Sequence, residues 1–193
     1  MSAPPASPLK IGVDVPWVTA WSEELMTGFG PCPSVDGAIA VAQIDKPGVG
    51  EPQYARNHVF RQRKSVREML CPMCGKPTVN GDRWSQTGHW TTAGEVRARN
   101  MGVWLPGDFP DRRPLFDAGG IAPMHRACAE RSQALCPFLH DLPDQELKAF
   151  PDAWIIATLA VEARQKPSIA NVPKAPIVAI SFLQLIGVPD FAG

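Results

Sequence analysis

Net charge is the first thing this chain lacks: its 193 residues carry 19 basic and 19 acidic side chains. A zero balance supplies no global attraction to nucleic acid or to an anionic membrane. A membrane-length apolar run is missing as well. The longest stretch, Ile177–Val188, is interrupted by Ser181 and Gln184 and falls short of the roughly 20 residues a spanning helix needs. Met1–Pro8 is rich in Ala, Pro and Ser and has no apolar core, so it does not read as a secretion signal. Residues 1–12 read instead as a disordered leader. There is no Gly-rich phosphate loop, no Ser/His/Asp arrangement and no paired-carboxylate signal. Nothing therefore points to an enzyme or to a small-molecule substrate. The five cysteines are odd in number. That count, with no leader signal and a metal-type spacing, predicts a soluble protein of the reducing cytoplasm rather than a disulfide framework.

What the chain does contain is a core's worth of apolar residues, 45%, and an unusual 21 prolines. The first predicts a folded chain. The second predicts short elements joined by stiff, irregular loops, because proline fixes its backbone and cannot donate to a ladder.

One constellation carries clear chemistry. Cys71-Pro72-Met73-Cys74-Gly75 is followed some fifty residues on by His125-Arg126-Ala127-Cys128. Two close pairs of thiolate and imidazole ligands are what a tetrahedral zinc ion requires. A tight turn aims Cys71 and Cys74 at one point, and Gly75 lets the backbone approach closely. On a helical first turn, His125 and Cys128 share one face, and the helix N-terminus favours thiolate charge. Cys136 is the competing ligand, but it lies eight residues beyond Cys128 on the same helix, a rise of roughly 12 Å. Four protein ligands close the coordination sphere, so the zinc is expected to be structural. Cys32 and Cys136 have neither a nearby His nor a C-x-x-C partner, and read as bystanders.

Around this site the pattern predicts an α+β, loop-rich domain organised on a treble-clef-like zinc finger. Zinc binding is expected over residues 13–139, with 140–193 as an extension packed on the same domain. Trp17, Trp21, Leu25 and Met26 have the spacing of a helix over 14–29 with Pro16 near its start. Ala38–Ile44 reads as a strand and 45–52 as a loop. Residues 55–70 read as a helix leading into Cys71. Arg83–Ser85 and His89–Thr92 read as a hairpin, residues 105–123 as a long loop, and Met124–Leu135 as an amphipathic helix. The runs 153–163 and 177–186 read as a β pair joined by a proline-rich loop over 166–176.

Several of these segments resemble an uncharacterised family of actinobacterial and phage-borne proteins. The likeness lies in Val15–Ser22, in His58-Val59-Phe60-Arg61-Gln62-Arg63, in the Cys71–Gly75 knuckle, in Pro123–Ala129 and in Cys136-Pro137-Phe138-Leu139, spanning residues 15–139. In that family the second ligand pair is often two cysteines. The resemblance thus implies a ligand role for His125 and a phage or mobile-element origin; it implies no activity.

Three functions compete. Residues 53–104 hold nine basic side chains against three acidic ones. Arg56, Arg61, Arg63, Lys64, Arg67 and Arg83 could therefore form a phosphate-tracking surface, with Trp84 and Trp90 as stacking platforms. This nucleic-acid reading is preferred. A protein-binding module, such as an inhibitor of a host enzyme, is the alternative, since the fold does not settle function. A nuclease of the His-Asn-His type would use His89 on the hairpin as base, but no partner histidine or asparagine stands at a suitable place.

Overall fold

The computed structural model describes residues 5–99, 105–136, 139, 146–163 and 177–189. The expected loop at 166–176 lies outside these. The longest strand, β10 (Ile177–Val188), organises the rest. Strand β9 (Ala153–Ala163) pairs antiparallel along its whole length, so the expected β pair is present. One edge of β10 is thereby filled. Its other edge is shared by two partners. Strand β3 (Ile39–Gln43) joins in parallel at Ile180↔Ala40, and β7 (Pro114–Gly119) joins antiparallel at Leu185–Gly187. Strands β2 (Met26–Pro31) and β6 (His89–Thr92) extend the sheet on the two flanks, giving the order β2-β3-β10-β7-β6.

Side-chain alternation gives this sheet two working faces. One presents Leu183, Leu185, Phe116 and Ala118 to helix α1 (Val59–Glu68), which adds Val66. The other presents Leu115 and Ile186 to α2 (Ala93–Ala98), which adds Ala93 and Val96. A third apolar cluster takes in Cys71, Cys74 and Cys128, with Met73, Met124, Ala129 and the half-buried Trp84. Short strands β1 (Thr19–Trp21) with β4 (Pro52–Asn57), and β5 (Trp84–Ser85) with β8 (Lys148–Ala149), pair outside the main sheet. Among the described residues no helix is long and apolar enough to cross a membrane.

The mixed α and β character is as expected, but four local expectations are corrected. Residues 14–29 are not a helix; they form β1 and the start of β2. The i, i+4 spacing misled because Trp21 is buried while Leu25 and Met26 are exposed, so no single apolar face exists. Residues 55–57 belong to β4, and the helix starts only at Val59. Strands β5 and β6 both form but do not pair as a hairpin; β5 goes to β8 and β6 to β7. The expected loop at 105–123 contains β7, whose Leu115 and Phe116 are fully buried. In the expected leader, Ala6 bridges Val49 and Ser7 donates its backbone N–H to the Gly48 carbonyl.

Candidate metal centre

Local backbone bonds shape the knuckle. Gly75 N–H donates to the Cys71 carbonyl and Cys71 N–H to the Lys76 carbonyl, both at 2.8 Å. The chain returns on itself because Gly75 has φ +72°, a left-handed conformation that glycine adopts without penalty. The indole of Trp17 lies against that glycine, so near that an added Cβ would meet Cγ at 2.9 Å. Trp17 N–H donates to Met73 O and Val18 N–H to Pro72 O. The N-terminal segment therefore clamps the knuckle from outside.

The second ligand pair comes from helix α3 (Arg126–Leu135). His125 is its N-cap residue rather than part of its first turn, and its side chain makes no cap bond. Asp82 supplies the cap instead, accepting from Arg126 N–H at 2.8 Å, which leaves the imidazole free to turn toward the cysteines. Cys128 follows in the first turn. A reciprocal pair of 2.8 Å bonds between Trp84 and Met124 fixes the chain entering the helix.

Together Cys71, Cys74, His125 and Cys128 place one ligand atom each within 4.8 Å of all the others, so the group could hold a metal ion. Nδ1 of His125 lies 3.5 Å from Cys74 Sγ and 3.9 Å from Cys128 Sγ. Metal bonds of about 2.3 Å to sulfur and about 2.0 Å to nitrogen put tetrahedral neighbours roughly 3.5–3.8 Å apart. The spacing therefore fits such an ion. Nε2 of His125 sits 3.0 Å from the Pro77 carbonyl. A carbonyl only accepts, so Nε2 carries the proton and Nδ1 keeps its lone pair facing the sulfurs. All five cysteines are free. Cys71 is fully buried, and burial raises its pKa above the ordinary thiol value. The Cys128 thiol is pushed up to about 12, first by burial and then by the neighbouring Cys71 and Cys74. Three thiolates cannot share this space without a compensating cation. Cys136, the expected competitor, is the C-cap at the far end of α3 and is not in the ligand group.

The basic residues fare differently. Arg61 and Arg63 are interior, at 2% and 1% exposure, and this corrects their assignment to a phosphate-facing surface. Arg61 bonds both carboxylate oxygens of Glu24 and the Thr19 carbonyl. Arg63 bonds the Ser181 and Val41 carbonyls, tying α1 to β10 and β3. Between them Gln62 donates to Gly120 O and Leu183 O and accepts from Leu183 N–H. The Arg-Gln-Arg triplet is thus a hydrogen-bonded staple, and α1 is enclosed over most of its circumference. Arg67 pairs with Asp36. Arg83 bonds Asn80 and lies over the Trp154 ring at 4.8 Å. Arg56 is exposed and bonds Gln53, and Lys64 is half-buried.

Glu24, Asp45 and His58 form a second close group, but Arg61 already fills it, donating to both carboxylates. Both ring nitrogens of His58 are engaged, by Ile44 O and Arg61 N–H. His58 therefore has no free ring lone pair to offer a metal, and the Arg61 cation already sits between the two carboxylates. His89 is exposed on β6, opposite Asp117, and is not among the metal-ligating groups of the described residues. Sequence reasoning missed the Pro77 carbonyl and the Trp17 clamp. A backbone acceptor leaves no sequence trace, whereas a tryptophan 58 residues from a knuckle glycine leaves only an ambiguous one.

No protein-family model, curated protein or solved structure matches this chain.

Proposed function

We propose that this chain is a zinc-stapled, non-enzymatic binding protein whose partner is another protein. The metal is zinc, because three cysteines and one histidine form a borderline-soft tetrahedral set. Four protein ligands leave no position for a reacting water, so the ion's role is to hold the fold. The ligand layout, a knuckle followed by a helix N-terminus, is that of a treble clef. That likeness is limited to the ligands, since β5 and β6 pair elsewhere. A place in the actinobacterial and phage-borne family belongs to the same reading and rests on the motif string alone.

The observation that favours a protein partner is strand β2. It ends the main sheet, pairing only with β3 among the described residues. On β2 and just before it, Met26, Phe29 and Leu25 are exposed apolar side chains, and Ile39 on the paired β3 is exposed as well. An unpaired, apolar sheet edge is a template for strand addition. Nucleic-acid binding is the second reading. It retains the basic excess of residues 53–104 but loses Arg61 and Arg63 as contacts.

The test is affinity capture with the zinc-loaded chain and a Phe29→Lys variant, alongside fluorescence anisotropy with duplex and single-stranded DNA. A stoichiometric partner retained by the first and lost by the second supports the reading. DNA binding that weakens steeply with salt, with no protein retained, would replace it by the nucleic-acid reading.

A further inference from the structure

The described residues enclose a cavity of about 750 Å³. It lies between the β1–β4 pair, the metal knuckle and helix α3. Its floor is apolar and buried, formed by Val18, Met73, Ala122 and Met124. Its rim carries Ile121 at 38% exposure and Leu135 at 60%. The volume lies within the roughly 300–1,000 Å³ of small-molecule sites, which combine apolar walls with a few placed polar groups.

The polar lining defines what would fit. No lysine or arginine lines the cavity among the described residues. Its one carboxylate, Asp14, accepts from Lys10 N–H at 2.8 Å. An anion would find no counter-charge here. Gln62, Ser65 and Gln86 also line it, but their side chains are engaged internally, with Leu183, Leu70 and Ala129 among their partners. Three polar side chains make no hydrogen bond among the described residues: Thr19, Asn57 and Tyr54. All three belong to the β1–β4 wall. Thr19 and Asn57 are direct register partners, so their side chains share one face. The cavity is thus apolar on its knuckle and helix sides and hydrogen-bonding on one strand side.

We propose that this cavity binds a neutral, largely apolar small molecule whose single hydrogen-bonding end docks on the Thr19–Asn57 wall. The inference is independent of which macromolecule the protein engages, because β2 contributes nothing to the lining.

The experiment titrates the zinc-loaded full chain with N-phenyl-1-naphthylamine, a neutral apolar fluorophore, and with its anionic analogue anilinonaphthalene sulfonate. The expected result is a saturable rise at one site per chain for the neutral probe. Affinity should fall by about tenfold or more in Leu135→Arg and Ile121→Arg, which change exposed rim positions and leave the floor intact. Val79→Arg, an exposed site outside the lining, should bind as the parent does. Absence of a saturable signal with the protein folded and metal-loaded would overturn the proposal. So would equal affinity in the rim variants, or tighter binding of the anionic probe. Sedimentation provides a further readout. A parent dimer that Leu135→Arg converts to monomer would make the hollow a self-association surface and overturn the small-molecule assignment.

Discussion

The Arg61 guanidinium grips both carboxylate oxygens of Glu24, at 2.8 and 2.7 Å, inside the protein. Neither side chain reaches solvent to any extent. Glu24 also accepts the backbone N–H groups of Trp21 and Lys46, and the exposed Asp45 takes a further bond from Arg61, so the group gathers β1, the 24–46 region and α1 around one ion-paired knot. Removing one partner strands the other charge. Arg61→Ala is expected to destabilise the fold by about 3–5 kcal/mol, read as a shift of the denaturant midpoint. The double variant Arg61→Met with Glu24→Leu should recover part of that loss, because it removes both buried charges together but leaves the Trp21 and Lys46 N–H groups without their acceptor. A loss near zero for Arg61→Ala would show that the knot is wet and the burial irrelevant.

Metal stoichiometry tests the centre directly. The purified chain should carry one zinc, retained in Cys136→Ser and lost in Cys128→Ser. Cys128 lies in the first turn of α3 whereas Cys136 is its extended C-cap, so the helical content of each variant is measured beside its zinc content to separate helix loss from ligand loss. Chelation should lower the melting temperature of the parent, since ligand binding to the folded state alone stabilises it by mass action. Retention of zinc by Cys128→Ser, or loss from Cys136→Ser, would reassign the fourth ligand.

That Cys71, Cys74, His125 and Cys128 come together in a group that could hold a metal was legible because their spacing is itself the chemistry: two pairs, each short enough for one turn. The β9–β10 pair was legible from β-branched residues. What the basic helix does was not. Charge spacing along α1 says which residues are cationic, yet only the surrounding chain decides whether they face water or carbonyls. Here Ser181, Val41 and Glu24, far apart in sequence, supply the acceptors. Strand β7 escaped for a related reason. Leu115-Phe116-Asp117-Ala118 is a short apolar run between proline and glycine, and its flanks read as loop although it fills the gap between β10 and β6.

Acid sensitivity should trace partly to His58. Its Nε2–H donates to the Ile44 carbonyl at 3.0 Å, and Nδ1 accepts the Arg61 N–H that caps α1. Burial first, then the adjacent Arg61 charge, hold the imidazole below its ordinary 6.5, outweighing the pull of Glu24 and Asp45. As the pH falls past that value the unfolded chain takes up a proton that the folded chain refuses. Stability is thus complete above 6.5 and declines progressively below it, down to the folded-state pKa. Asparagine at this position keeps a capping side chain without a titrating group. His58→Asn should therefore show a smaller drop in urea midpoint between pH 7.5 and 5.5 than the parent. Equal drops would mean that His58 titrates alike in both states.

Gly75 and Trp17 are coupled through space rather than sequence, and a two-position cycle separates the two demands on that glycine. Gly75→Ala faces a left-handed φ of +72° and a steric meeting with the indole at 2.9 Å. The backbone part costs roughly 1–2 kcal/mol on its own, and the clash adds to it by pushing Trp17 off the knuckle. Trp17→Ala removes the indole and its packing but leaves the backbone demand. In the Trp17→Ala background, Gly75→Ala should therefore cost less than in the parent, yet still more than zero. The residual reports the conformation of the knuckle, and the difference reports the clamp. If the alanine costs the same in both backgrounds, Trp17 does not bear on Gly75, and the N-terminal segment holds the metal loop only through its bonds to Met73 and Pro72.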